Sequence, residues 1–137
     1  MSKVFPIKLT ITSRMTDDAV EQQETGVLHL EGAGGTIAYS EESDGGQILT
    51  NIVFTPSRVT IARNGAVRSH MVFETGLAHT SLYEVPPYAF DMTVTTGALS
   101  ASIGIFGGRI HLEYDRLLGG ETTHVVFDLL AEIGGMP

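Results

Sequence analysis

Arg109-Ile110-His111-Leu112-Glu113-Tyr114-Asp115 and Thr122-Thr123-His124-Val125-Val126-Phe127-Asp128-Leu129-Leu130 flank the doublet Gly119-Gly120, and each run alternates apolar with polar side chains. A two-residue period is the signature of a strand with one buried face, and glycine between two such runs marks a hairpin turn. Register follows from keeping apolar side chains together, because a slip of one residue sends every side chain to the wrong face. Pairing Ile110 with Phe127, Leu112 with Val125 and Tyr114 with Thr123 builds the core face. The reverse face then sets Arg109 against Asp128, His111 against Val126 and Glu113 against His124.

The same alternation extends through the chain. Ile7, Leu9 and Ile11 share one phase, as do Ile48, Ile52 and Phe54, and Tyr88, Phe90, Met92 and Val94. Further doublets at Gly34-Gly35, Gly45-Gly46, Gly107-Gly108 and Gly134-Gly135 fall between or after these runs, and Pro86-Pro87 marks a stiff entry to the Tyr88 strand. This predicts an all-β domain over residues 1–137: a single antiparallel barrel, closed or nearly closed, of about eight or more strands in a hairpin-rich meander. One stretch reads two ways. Thr16 to Gly26 carries an N-cap residue, early acids and a glycine stop, as a helix would, yet Ala19 and Val20 alone make too narrow an apolar stripe to dock one.

A second hairpin surrounds Arg63-Asn64-Gly65. A three-residue loop with Gly65 left-handed pairs Ile61 with Val67 and Val59 with Ser69, and predicts Val59, Ile61, Val67 and Met71 as core. The opposite face carries Arg58, Thr60, Arg68 and His70. Turned into the barrel, Arg58, Arg68 and His70 would clamp a carboxylate or phosphate.

Composition bounds the partners. Sixteen acids against eight Lys plus Arg give a net charge of −8, a field that repels nucleic acid and anionic membrane surfaces. Cysteine is absent, so disulfides and cysteine-based metal sites are excluded. With no long apolar run and no secretory pattern in Met1 to Pro6, the expected location is cytoplasmic. No cofactor is predicted: the chain lacks a G-x-S-x-G elbow, a P-loop, a strand-borne G-x-G-x-x-G and an H-E-x-x-H helix. Glu41, Glu42 and Asp44 lack the ligand order of a calcium loop and read as a solvated strand end.

Three functions from different classes remain. The leading one is a non-enzymatic small-molecule-binding barrel, with Arg58, Arg68 and His70 as polar anchors and Phe73, Tyr83 and Tyr88 as aromatic contacts. The second is an enzyme or metal site on the His111, Glu113, His124 and Asp128 face. The third is a protein-interaction module using exposed strand edges.

Tyr39-Ser40-Glu41-Glu42, Arg63-Asn64-Gly65-Ala66-Val67, Phe73-Glu74-Thr75-Gly76 and Gly108-Arg109-Ile110-His111-Leu112-Glu113-Tyr114, in this order and spacing, resemble the YwiB-like family of small bacterial calycin-like β-barrels. The resemblance runs from Ile7 to Leu130. It implies a lipocalin-like antiparallel barrel in which Ala19 to Thr25 is a strand, and it implies no activity, cofactor or site residue. Binding of small molecules in the barrel follows from it by analogy of fold alone.

Overall fold

The computed structural model describes residues 3–133, so Met1-Ser2 and the Gly134-Gly135 doublet lie outside the described residues. Ten strands follow one another: β1 (Lys3–Met15), β2 (Asp18–Glu31), β3 (Gly34–Ser43), β4 (Gly46–Thr55), β5 (Arg58–Gly65), β6 (Ser69–Phe73), β7 (Ala78–Val85), β8 (Tyr88–Gly104), β9 (Gly107–Leu118) and β10 (Glu121–Ile133). They form one antiparallel sheet in the order β6-β5-β4-β3-β2-β1-β10-β9-β8-β7. Neighbours in sequence are neighbours in space, as in a meander, and β1 pairs with β10 to roll the sheet up.

The roll is closed by a single bridge. Arg68, just before β6, exchanges backbone hydrogen bonds with Glu84 of β7, its N–H donating at 2.9 Å and its carbonyl accepting at 2.8 Å. The result is a nearly closed barrel. Inward side chains alternate with outward ones along each strand, most regularly on β4, where Ile48, Thr50, Ile52 and Phe54 are buried and their neighbours exposed. Leu9, Leu28, Ile37, Ile110, Leu112 and Leu129 fill the centre.

The Thr16–Gly26 stretch is a turn at Thr16-Asp17 followed by β2, paired with β1 from Met15–Asp18 down to Lys3–Leu30. A long cross-strand ladder outweighs a local helix signal that had no apolar face to dock. The β9–β10 register differs from the expected one by two residues: Ile110 faces Leu129, Leu112 faces Phe127 and Tyr114 faces Val125. The turn decides this. Gly119 and Gly120 both have left-handed φ, +60° and +80°, so they form the two central residues of a type I′-like hairpin between Leu118 and Glu121. A shift of two preserves every facing, so the predicted core face is the observed one.

The β5–β6 hairpin also departs from expectation, with Ile61 opposite Met71, Val59 opposite Phe73 and Arg63 opposite Ser69. Its loop is wider because β5 stays paired with β4 as far as Gly65, and Ala66 still donates to the Gln47 carbonyl at 3.2 Å. Gly65 permits that approach: a Cβ there would lie 2.1 Å from the Gln47 oxygen. Val67 is only partly buried and is no core residue. Pro86-Pro87, joined by a cis bond, forms the β7–β8 turn.

Candidate functional site

Register sorts the turns onto two ends. One end carries Thr16-Asp17, Asp44-Gly45, the 66–68 loop, Pro86-Pro87 and Gly119-Gly120. Here the inward phase of several strands changes from apolar to polar. On β5, Val59 and Ile61 are followed by Arg63; on β9, Ile110, Leu112 and Tyr114 are followed by Arg116. Ile61, Arg63, Tyr114 and Arg116 line a largely enclosed cavity of about 130 Å³, together with Tyr39, Tyr83, Ser69 and Gln22.

Two cations face this cavity, and Glu41, with a buried unpartnered Oε1, and Glu24 flank it on the Tyr39 side. The Nε of Arg63 and of Arg116 are both buried without a hydrogen-bond partner, and among the described residues neither guanidinium has a carboxylate within ion-pair distance. Buried donors are normally satisfied, so two orphaned ones in a single cavity require explanation. Burial pushes the Tyr39 hydroxyl up to about 12, with the Arg63 charge pulling the other way. Tyr114 is raised by the same cause, against Arg116 and Arg63. Both phenols therefore hold their protons at neutral pH and, with the guanidiniums, offer donors to an anion. On the β2–β3 side Gln22 Nε2 donates to Glu41 Oε2 at 2.8 Å, which occupies the nearest amide.

The predicted anchors lie elsewhere. Arg58, Arg68 and His70 are all exposed, so they do not point into the barrel. Nor do they meet: Arg58 sits at the opposite end, 3.8 Å from Glu74, while Arg68 and His70 border an open outer cleft with Leu82 and Glu84. Their strand phase is the outward one, since Val59 and Ile61 take the core. Among the predicted aromatics, Phe73 is a core residue, 0% exposed, with its ring 4.8 Å from that of Tyr114. Tyr83 lines the cavity, and Tyr88 lies 65% exposed beyond it. A three-residue Arg63-Asn64-Gly65 loop and a strand ending at Asp115 leave Arg63 and Arg116 off the core face, whereas the structure puts both on it. The signal for both was available, as each continues a core-facing alternation with a charge.

The His111 face is divided by the two-residue register difference. His111 Nε2 lies 2.9 Å from Glu113 Oε2 and Nδ1 2.6 Å from Asp128 Oδ1, a geometry in which both nitrogens donate when the ring is protonated. His124 instead faces Asp115 at 2.8 Å and leaves the group. Both ring nitrogens are taken up by carboxylates, and among the described residues no cluster of three or more donors has metal-binding geometry. The face is outward, with His111, Glu113 and Asp128 each about one-third or more exposed.

Comparison with known proteins agrees with this architecture. The chain is 26% identical over 129 residues, 91% of each sequence, to the uncharacterised β-barrel protein YwiB of Bacillus subtilis (strain 168). The crystal structure of the ywiB protein from Bacillus subtilis superposes with a TM-score of 0.88 at 24% identity, covering 96% of this chain and 94% of that one. That likeness establishes the fold. Residues 6–126 match the model of a domain of unknown function, DUF1934, and the chain belongs to that family.

Proposed function

We propose that this barrel is a non-enzymatic binding protein for a small organic anion, held in the enclosed end of the barrel by Arg63 and Arg116. One observation carries the reading: two inward guanidiniums with buried, unpartnered Nε atoms share one cavity. An unpaired buried donor costs about 1–3 kcal/mol, more when charged, and an oxyanion removes that cost at both groups at once. The protonated Tyr39 and Tyr114 hydroxyls add neutral donors to the same wall. Against a net charge of −8, a local pair of cations also makes the cavity the place where an anion is attracted to an otherwise repelling molecule. An interior site in a lipocalin-like barrel is consistent with the calycin-like resemblance, and a chain without cysteine suits the cytoplasm.

Calorimetric titration of acetate and of inorganic phosphate at low ionic strength tests this. Saturable binding at a single site is expected, weakened about tenfold or more by Arg63→Met and by Arg116→Met. If no small oxyanion binds saturably to the wild-type protein, the reading is overturned.

A further inference from the structure

The cavity is small. At about 130 Å³ it falls below the roughly 300–1,000 Å³ of pockets that enclose a whole organic ligand, so a head group fits and the remainder of a ligand does not. What lies outside its mouth is therefore informative.

The last β8–β9 pair at this end is Met92–Leu118, yet β8 begins at Tyr88 and pairs with β7 all the way to Val85–Tyr88. Residues 82–85 and 88–91 thus project past β9 as a two-stranded tongue, roughly 13 Å long at about 3.3 Å per residue. On the other flank it is held near its tip by the backbone bonds between Arg68 and Glu84. Tyr83 lines the cavity; Phe90 is directly opposite Tyr83, and Tyr88 directly opposite Val85. Opposite residues in an antiparallel pair share a face, so Val85, Tyr88 and Phe90 continue the cavity wall beyond its mouth. They remain exposed, at 36%, 65% and 43%.

Resting on the anion-binding reading, we infer that the ligand is amphipathic: an oxyanion head at Arg63 and Arg116, and an apolar tail of several carbons laid along the Val85, Tyr88 and Phe90 face of the tongue. Charge where the core face meets the rim, and an aromatic strip continuous with that rim, select for that chemistry. A purely inorganic anion would leave the strip uncovered. A neutral apolar molecule would bury the guanidiniums unpaired.

The test is a chain-length series, acetate to hexanoate, with hexyl phosphate beside inorganic phosphate to identify the head group. Affinity is expected to rise at least tenfold from acetate to hexanoate, each fully buried methylene contributing up to about fourfold. The double variant Tyr88→Ser, Phe90→Ser should abolish the gain while leaving acetate or phosphate affinity unchanged, which also shows that the variant is folded. Anion binding with no chain-length gain, or a gain that survives the double variant, overturns the amphipathic assignment and leaves the anion site standing. Failure of every anion to bind overturns both.

Discussion

His111 lies directly across the β9–β10 ladder from Asp128, with its Nδ1 2.6 Å from Oδ1 of that residue and its Nε2 2.9 Å from Glu113. The imidazole is raised above 6.5, first by the Asp128 hydrogen bond and then by Glu113, with desolvation opposing. A group whose folded pKa is raised stabilises the fold fully below its unfolded pKa, and that stability disappears as pH climbs through the raised value.

His111→Gln is therefore expected to lower the melting temperature more at pH 6 than at pH 9. The side chains are about one-third exposed, 33% for His111 and 35% for Asp128, so solvent screening limits the effect to the range of surface pairs. About 1 kcal/mol, or roughly 3 °C, is the expected difference. Equal losses at the two pH values would show that the pair carries no charge.

Arg63 and Arg116 set function against stability. Each is a charged group with a buried unpartnered atom, and replacement by an apolar side chain of similar length removes the desolvation cost. Arg116→Met should raise stability by about 1–2 kcal/mol in urea titration while weakening anion binding. A destabilised Arg116→Met would mean that the guanidinium is held by structural partners.

Phe73 separates core from ligand contact. With its side chain fully buried against Tyr114, Phe73→Leu should cost about 1–3 kcal/mol. Affinity for acetate should be unchanged in the folded variant. A large affinity loss would place Phe73 in the binding wall.

The Gly119-Gly120 turn controls register. Asn tolerates left-handed φ and Val does not, so Gly119→Asn should be close to neutral, whereas Gly119→Val should cost about 1–2 kcal/mol by denaturant unfolding. Equal effects would exclude backbone conformation as the cause.

What could be read in advance follows from which interactions are local. Alternation is local, so the β9–β10 facing of Ile110, Leu112 and Tyr114 was legible from those residues alone. Register depends on how far pairing continues into a turn. The Gly119-Gly120 doublet encodes that distance, but the extension of β5 to Gly65 depends on Gln47 of another strand. The helix-like Thr16–Gly26 segment shows the same limit: its capping pattern is real chemistry, and its partner strand is remote from it. Arg63 and Arg116 carry charge, which composition alone places outward, although their strand phase marks the point where a core face meets the rim.

The Arg68–Glu84 bridge has a mechanical meaning. Between the facing edges of β6 and β7 the backbone ladder is reduced to this one pair of hydrogen bonds, and the rest of the seam is closed by side-chain packing and the 74–77 connection. Opening this clasp exposes Ser69 and Met71 on one lip and Tyr83 on the other, all of which line the anion cavity. Opening there breaks two backbone hydrogen bonds and the packing of Met71 and Tyr83 across the seam, with β6 and β7 still joined through residues 74–77. The amides of Arg68 and Glu84 are therefore expected to exchange ahead of those in the long ladders.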